Sequence, residues 1–352
     1  MKGKDVILYE IKDKKNSFTA SFLNVGAAIN QVRVPNKDGD MIDIHYGRDS
    51  LQELKELPGY QGCIVGRVAS LIAFGRYELD GELVELSKNM AKVHSQHGGF
   101  EAFNQKIWEC LAFEEEDNSV LLKFRYISPD GEEGFPGRLE TIISYRIRPM
   151  SISWEIHGKT NKTTIVNMTN HAYWNLDGIF QRIDNLSLEI NAEKYLEIHN
   201  VKIVLKTIAE LLRLGKRTHA PMEIKPIAEF GIDLTSKKQL STIFSEFGDL
   251  DHNFITDPEN KGEIKEVARL FSEKNDLVMH VSTTEPGMVV YSGNDMDSMK
   301  SFGKQLKEHF GICIETMKPT NSIQIPKLKD WVVLRPNEEY KTKTIIDFSH
   351  ET

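Results

Sequence analysis

The chain has 352 residues, of which 40% are hydrophobic and 27% charged, and a formal net charge of −8. Lysines and arginines are scattered rather than clustered, which excludes a polyanion-binding face such as a nucleic-acid groove. No apolar run approaches the ~18 residues of a membrane-spanning helix, and the charged stretch from Met1 to Lys12 lacks the apolar core of a secretory signal, so a cytoplasmic location is expected. Cys63, Cys110 and Cys313 are odd in number and form no C-x-x-C pair. They read as reduced core thiols. At this length a fold buries roughly three quarters of its unfolded surface, so neither a disulfide nor a structural metal is needed.

Turn residues and period-2 alternation organise the chain from end to end. Asn36-Lys-Asp-Gly39 marks a first turn, and Ser50 with Glu53 forms a capping-box pair that predicts a short helix from Ser50 to Leu57. Leu79-Asp80-Gly81 and Ser128-Pro-Asp-Gly131 are further turn signals. Strand alternation follows at Val120, Leu122, Phe124 and Tyr126, then at Ile143, Tyr145 and Ile147, and again at Ile152, Trp154 and Ile156. A second short helix is expected near Thr207 to Leu214, ahead of Gly215. Asp257-Pro258 is a turn, after which alternation resumes at Leu277, Met279 and Val281 and at Phe310, Ile312 and Ile314. Many short strands with few helices predict an all-β fold built as a large antiparallel β-sandwich. With no repeat, low-complexity segment or linker, residues 1–352 are expected to form one domain.

Three stretches carry candidate chemistry. In His309-Phe-Gly-Ile-Cys-Ile-Glu-Thr-Met317, the alternation sets Glu315 opposite the Phe310, Ile312 and Ile314 face, directed at a cleft or at solvent. His171 stands among Asn170, Tyr173, Trp174 and Asn175, which can orient an imidazole and stack on a ligand ring or equally pack in a core. His97 precedes Gly98-Gly99, where a ligand can approach the backbone closely; alone it is equally a turn histidine. A carboxylate with separated imidazoles is equipment for moving protons on a neutral polar substrate. His94 and His97 lack a third ligand at metal-site spacing, so no metal is expected.

These stretches, with Asn24-Val-Gly-Ala27, Gly66-Arg-Val-Ala69, Glu132-Glu-Gly-Phe-Pro-Gly137, Leu250-Asp-His-Asn-Phe254, Glu285-Pro-Gly287 and Tyr291-Ser-Gly-Asn294, resemble the aldose 1-epimerase (galactose mutarotase) family in order and spacing. The resemblance implies a supersandwich fold with a sugar in an open cleft, and it implies no cofactor. It assigns Glu315 as the general base on the anomeric hydroxyl and His171 as the general acid on the ring oxygen. His97 would hold the sugar and support that protonation. Asp251 would accept hydrogen bonds from sugar hydroxyls, with Asn170 and Trp174 as further substrate-binding candidates. Glutamate and histidinium would supply the opposite protonation states that ring opening needs.

The chain departs from the family pattern around this set. An Asn-Arg pair is replaced by Ser70-Leu71, a glutamine by Val289, and a Pro-Asp-Ala by Pro319-Thr320-Asn321, while Val201 to Ile224 lacks the family's middle motifs. Leu71 and Val289 should then form an apolar patch on the cleft wall, unless Arg67 replaces the lost donor. Three readings follow: a mutarotase acting on a free aldose, a mutarotase-like carbohydrate-binding or regulatory protein, and a phosphosugar epimerase, for which loss of arginine at position 71 is unfavourable. The partner in the first is a small sugar; the oligomeric state is open.

Overall fold

The computed structural model describes residues 5–13, 17–50, 53, 59–198, 222–257 and 262–351. Among them, one antiparallel sheet of nine strands runs in the order Glu109–Glu116, Ser119–Ser128, Leu139–Arg148, Ser151–Thr160, Tyr340–His350, Leu277–Thr283, Lys265–Ser272, Ser187–Ile190 and Lys238–Gln239. A four-stranded sheet (Leu8–Lys12, Thr19–Leu23, Ala28–Pro35, Met41–Asp43) contributes to the same core. So does a five-stranded sheet in the order Met222–Pro226, Lys194–Ile198, Asp251–Ile255, Gly287–Tyr291 and Cys313–Thr316. The expected all-β supersandwich is what the chain forms.

Alternation and register explain the large sheet. Leu122 pairs with Tyr145, Phe124 with Ile143, Ile143 with Ile156 and Tyr145 with Trp154, so these side chains stack on one face. All of them are buried. Across the interlayer, Phe22 meets Tyr145 at 4.8 Å and Tyr9 meets Phe124 edge-on at 5.4 Å, which joins the four-stranded sheet to the nine-stranded one. A one-residue slip would turn every one of these groups to the other face, so the buried pattern fixes the register.

The turns follow their residues. Asp80 and Gly81, with φ of 51° and 84°, close the hairpin between Arg76–Leu79 and Glu82–Glu85, as a primed two-residue turn requires. Asn36 Oδ1 accepts from the N–H groups of Asp38 and Asp40, shaping the turn into Met41–Asp43. Of the helix expected at Ser50 to Leu57, only Ser50 and Glu53 are described; Glu53 N–H donates to Ser50 Oγ at 3.2 Å, the first half of the capping box. The helix expected at Thr207 to Leu214 lies outside the described residues. Two short helices, Leu240–Glu246 and Lys329–Val332, carried no clear sequence signal.

The strand expected from Phe310 begins later, at Cys313. Phe310 instead joins a satellite cluster with Tyr46 and Tyr173, while Ile312 makes an isolated bridge to Trp174. The facing of the stretch is unaffected: Ile312 and Ile314 enter the main core, opposite Glu315.

Phe124→Ala tests the core assignment. The side chain is fully buried at the interlayer contact, so truncation is expected to cost about 3–5 kcal/mol. Chemical denaturation reads the loss, and a change below 1 kcal/mol would contradict this packing.

Candidate active site

The five-stranded sheet builds one wall of the site by its pairing. Asp251, Tyr291 and Cys313 form one cross-strand row, and Asn253, Val289 and Glu315 form the next. The intervening Phe254, Met288, Val290 and Ile314 are buried in the core, so the pleat sends the two rows to the opposite face. Glu315 therefore stands beside Val289 on a strand whose other face is anchored in apolar side chains.

The facing wall comes from residues 169–175, and here Asn170 and Trp174 act differently from their expected contact with sugar. Thr169–Asn170 pairs with Ile64–Val65. Asn170 Nδ2 donates to Gly62 O at 2.6 Å and to Tyr145 Oη at 3.2 Å. Trp174 is 1% exposed and packs in the core, edge-on to His45 and Phe348. Neither lines the cleft, because both point into the protein. His171 and Tyr173 point the other way and do line it.

The resulting cleft has a volume of about 420 Å³, within the ~300–1,000 Å³ range of small-molecule sites. Glu315, His171, His97, Asp251, Leu71 and Val289 all line it. His171 Nε2 lies 3.5 Å from Glu315 Oε1, and the His97 ring centroid is 5.4 Å from that of His171. Glu315 Oε2 is buried without a hydrogen-bond partner, an acceptor that a ligand hydroxyl can satisfy. A hollow of similar volume, about 440 Å³, borders the four-stranded sheet beside Glu10 and Arg33, but it gathers no histidine.

Burial dominates the electrostatics. It holds the Glu315 carboxyl well above its ordinary value, with the Asp251 charge adding to the effect. It lowers His171 to about 4, and it lowers His97 well below its ordinary value, with His171 contributing. Burial and the Asp295 charge push Asp251 up to about 6, although contact with solvent at the rim tempers that shift. Burial thus favours the uncharged forms of both groups, and the 3.5 Å approach of His171 Nε2 to Glu315 Oε1 is the contact that supports the expected carboxylate and histidinium. Removing water penalises both charges at once.

Several contributors were missed in the sequence. Tyr60 stacks on His171 at 5.6 Å and tilts against His97 at 4.6 Å; its only signal is an aromatic next to Gly59 in a non-periodic stretch. Cys313 Sγ lies 3.5 Å from His171 Nδ1. Burial, together with Glu315 and Asp251, pushes its thiol well up, so it stays protonated and able to donate to that nitrogen. Asp295 brings a third carboxylate, and among the described residues the lining holds no lysine or arginine. Arg67 cannot replace the missing donor. Its guanidinium is 2% exposed and bound to Ser128 Oγ, Ser128 O, Pro129 O and Pro136 O.

An antiparallel sandwich with an open cleft that pairs a buried carboxyl group with two imidazoles defines a class of proteins suited to proton transfer on neutral polar ligands. The sequence profile described as Aldose 1-epimerase matches residues 8–347. The chain is 30% identical over 342 residues to a galactose mutarotase from Rattus norvegicus, covering 96% of this chain and 92% of that protein. It is also 30% identical over 343 residues to an aldose 1-epimerase from Escherichia coli K12, covering 94% and 92%. Among solved structures, an aldose epimerase homologue from C. elegans superposes with a TM-score of 0.83 at 25% identity, covering 99% and 100% of the two chains. The chain belongs to the aldose 1-epimerase family.

Burial of Glu315 has a consequence for stability that depends on pH. Below the ordinary carboxyl value of 4.5 the group is protonated in both folded and unfolded chains, and its raised folded value costs nothing. Above 4.5 only the unfolded chain ionises freely, so native stability falls as pH rises toward the folded value. Glu315→Gln removes that loss. Thermal melts should show the variant gaining on wild type as pH rises from 4 to 7; parallel curves would mean Glu315 is ionised without penalty.

Proposed function

We propose that this protein is an aldose 1-epimerase that interconverts the α and β anomers of a free, uncharged aldose. The observation that carries the reading is the 3.5 Å approach of His171 Nε2 to Glu315 Oε1 inside a cleft lined also by His97 and Asp251. Glu315, as carboxylate, takes the proton of the C1 hydroxyl. His171, as imidazolium, gives a proton to the ring oxygen, and His97 supports the same oxygen. The C1–O5 bond breaks to give the aldehyde, C1–C2 rotates, and closure by the reverse transfers yields the other anomer. Asp251 accepts hydrogen bonds from sugar hydroxyls.

The electrostatics fit this sequence of steps. Ring opening moves one proton onto Glu315 and one off His171, which converts a charged pair into the neutral pair that burial favours. The carboxylates Asp251, Asp295 and Glu315, with no cation beside them in the described lining, disfavour a phosphorylated sugar. That argues for free aldoses over the phosphosugar alternative.

Polarimetry of freshly dissolved α-D-glucose, α-D-galactose and maltose tests the reading. Wild type should accelerate the rotation change of at least one, and Glu315→Gln should lose a hundredfold or more of turnover, since general-base assistance contributes about 10²–10⁴. Binding without acceleration would instead identify a carbohydrate-binding or regulatory protein.

Leu71 and Val289, 9% and 6% exposed at the cleft wall, offer no hydrogen bond to a sugar. Leu71→Arg with Val289→Gln should lower KM for galactose or glucose about tenfold or more, each restored hydrogen bond being worth about 1–3 kcal/mol, while kcat changes less. An unchanged KM would mean that other lining groups already make those contacts.

A further inference from the structure

A chain of hydrogen bonds starts inside the protein and ends at the cleft wall. Asn253 Nδ2 donates to Thr320 Oγ1 at 2.7 Å, and Asn253 Oδ1 accepts from Thr320 N–H at 3.1 Å. This double bond fixes the amide, since Nδ2 can only donate and Oδ1 only accept. Thr320 Oγ1, already accepting, turns its own hydrogen to Ser70 Oγ at 2.8 Å. Asn253 and Thr320 are each 2% exposed, so water does not compete for these groups. Ser70 accepts that bond and lines the cleft, and its own hydroxyl hydrogen is left to point away from Thr320.

The backbone of Ser70 carries a second pair of bonds. Its N–H donates to His97 Nδ1 at 3.2 Å, and its carbonyl accepts from His97 N–H at 2.9 Å. A neutral imidazole whose Nδ1 accepts holds its hydrogen on Nε2. Ser70 and His97 both sit in the left-handed region, with φ of 60° and 50°. Such a backbone persists in non-glycine residues when surrounding bonds over-determine it.

We propose that Asn253 and Thr320 are positioning residues that set the direction of the Ser70 hydroxyl, making Ser70 a hydrogen-bond donor to a sugar oxygen beside His97 Nε2–H. The inference rests on the sugar-binding reading of the cleft. That cleft carries three carboxyl groups, Asp251, Asp295 and Glu315, and no lysine or arginine in its described lining, so the donors it offers a sugar are uncharged groups such as the Ser70 hydroxyl. A free serine hydroxyl serves as donor or acceptor equally well. Here the fixed amide two bonds away commits the Thr320 hydrogen to Ser70 Oγ, which leaves the Ser70 hydrogen available to a ligand.

The test is a set of variants read by calorimetric titration with the aldose that wild type binds best, by KM and kcat, and by the ring ¹⁵N shifts of His97. Ser70→Ala removes the donor. Asn253→Asp keeps the shape but replaces the donating amide with an acceptor, so Thr320 turns its hydrogen back and Ser70 spends its own on Thr320. Each is expected to weaken sugar affinity about threefold to tenfold, the net worth of one neutral hydrogen bond. Ser70→Ala/Asn253→Asp should be no weaker than Ser70→Ala alone, because both changes remove the same donor. Thr320→Ser should retain wild-type affinity and Thr320→Val should not. The ¹⁵N shifts should keep His97 Nδ1 as an acceptor in Ser70→Ala. Wild-type affinity in Ser70→Ala, or additive losses in the double variant, would overturn the assignment while leaving the epimerase reading intact. A wild type that binds no aldose would overturn both.

Discussion

The site depends on strands and strand-like segments whose alternate side chains are committed to the core. Glu315 is held by Ile314 on one side of its strand, and His171 is held between Asn170 and Trp174, which are bonded or packed into the interior. Neither Glu315 nor His171 can rotate its backbone toward solvent without pulling apolar groups out with it. Each large buried side chain is worth about 1.5–3 kcal/mol, so the 3.5 Å approach of the two functional groups is maintained by packing on the far side of both walls. Asn170 and Trp174 matter because they are anchors, not contacts.

The same packing buries Glu315 and His171, and their electrostatics follow from that. A buried carboxyl group and a buried imidazole are both driven toward their uncharged forms. Tyr60 and Tyr173 pack an aromatic surface against the imidazoles. Leu71 and Val289 continue it along the wall.

The fold was legible because its signal is local and repeated. Leu122, Phe124, Ile143, Tyr145, Ile152 and Trp154 alternate in the chain and face one side of the sheet. Which residues meet across the cleft was less legible. Alternation sets the facing of Glu315, yet nothing within its own stretch announces Tyr60 or Asp295 as neighbours. Those contacts join segments from distant parts of the chain, and no short-range pattern encodes them. Asn170 and Trp174 show the converse error, since adjacency to His171 suggested a shared site while the backbone sends neighbours to opposite sides. Ser70 and Thr320 each looked like an isolated departure. Only in three dimensions do they meet, at 2.8 Å.

The order of strands in the large sheet constrains how the chain is made as well as how it stands. The strand Tyr340–His350, the last in sequence, lies at the centre of nine, paired with Ser151–Thr160 on one side and Leu277–Thr283 on the other. Four strands up to residue 160 and four between residues 187 and 283 therefore present open edges to each other until residues 340–350 have left the ribosome. Closure of the sheet waits for the last of its strands and is a step of high contact order. Until then the nascent chain carries two unpaired inner edges, the kind of surface on which chaperones act and at which neighbouring chains can pair wrongly.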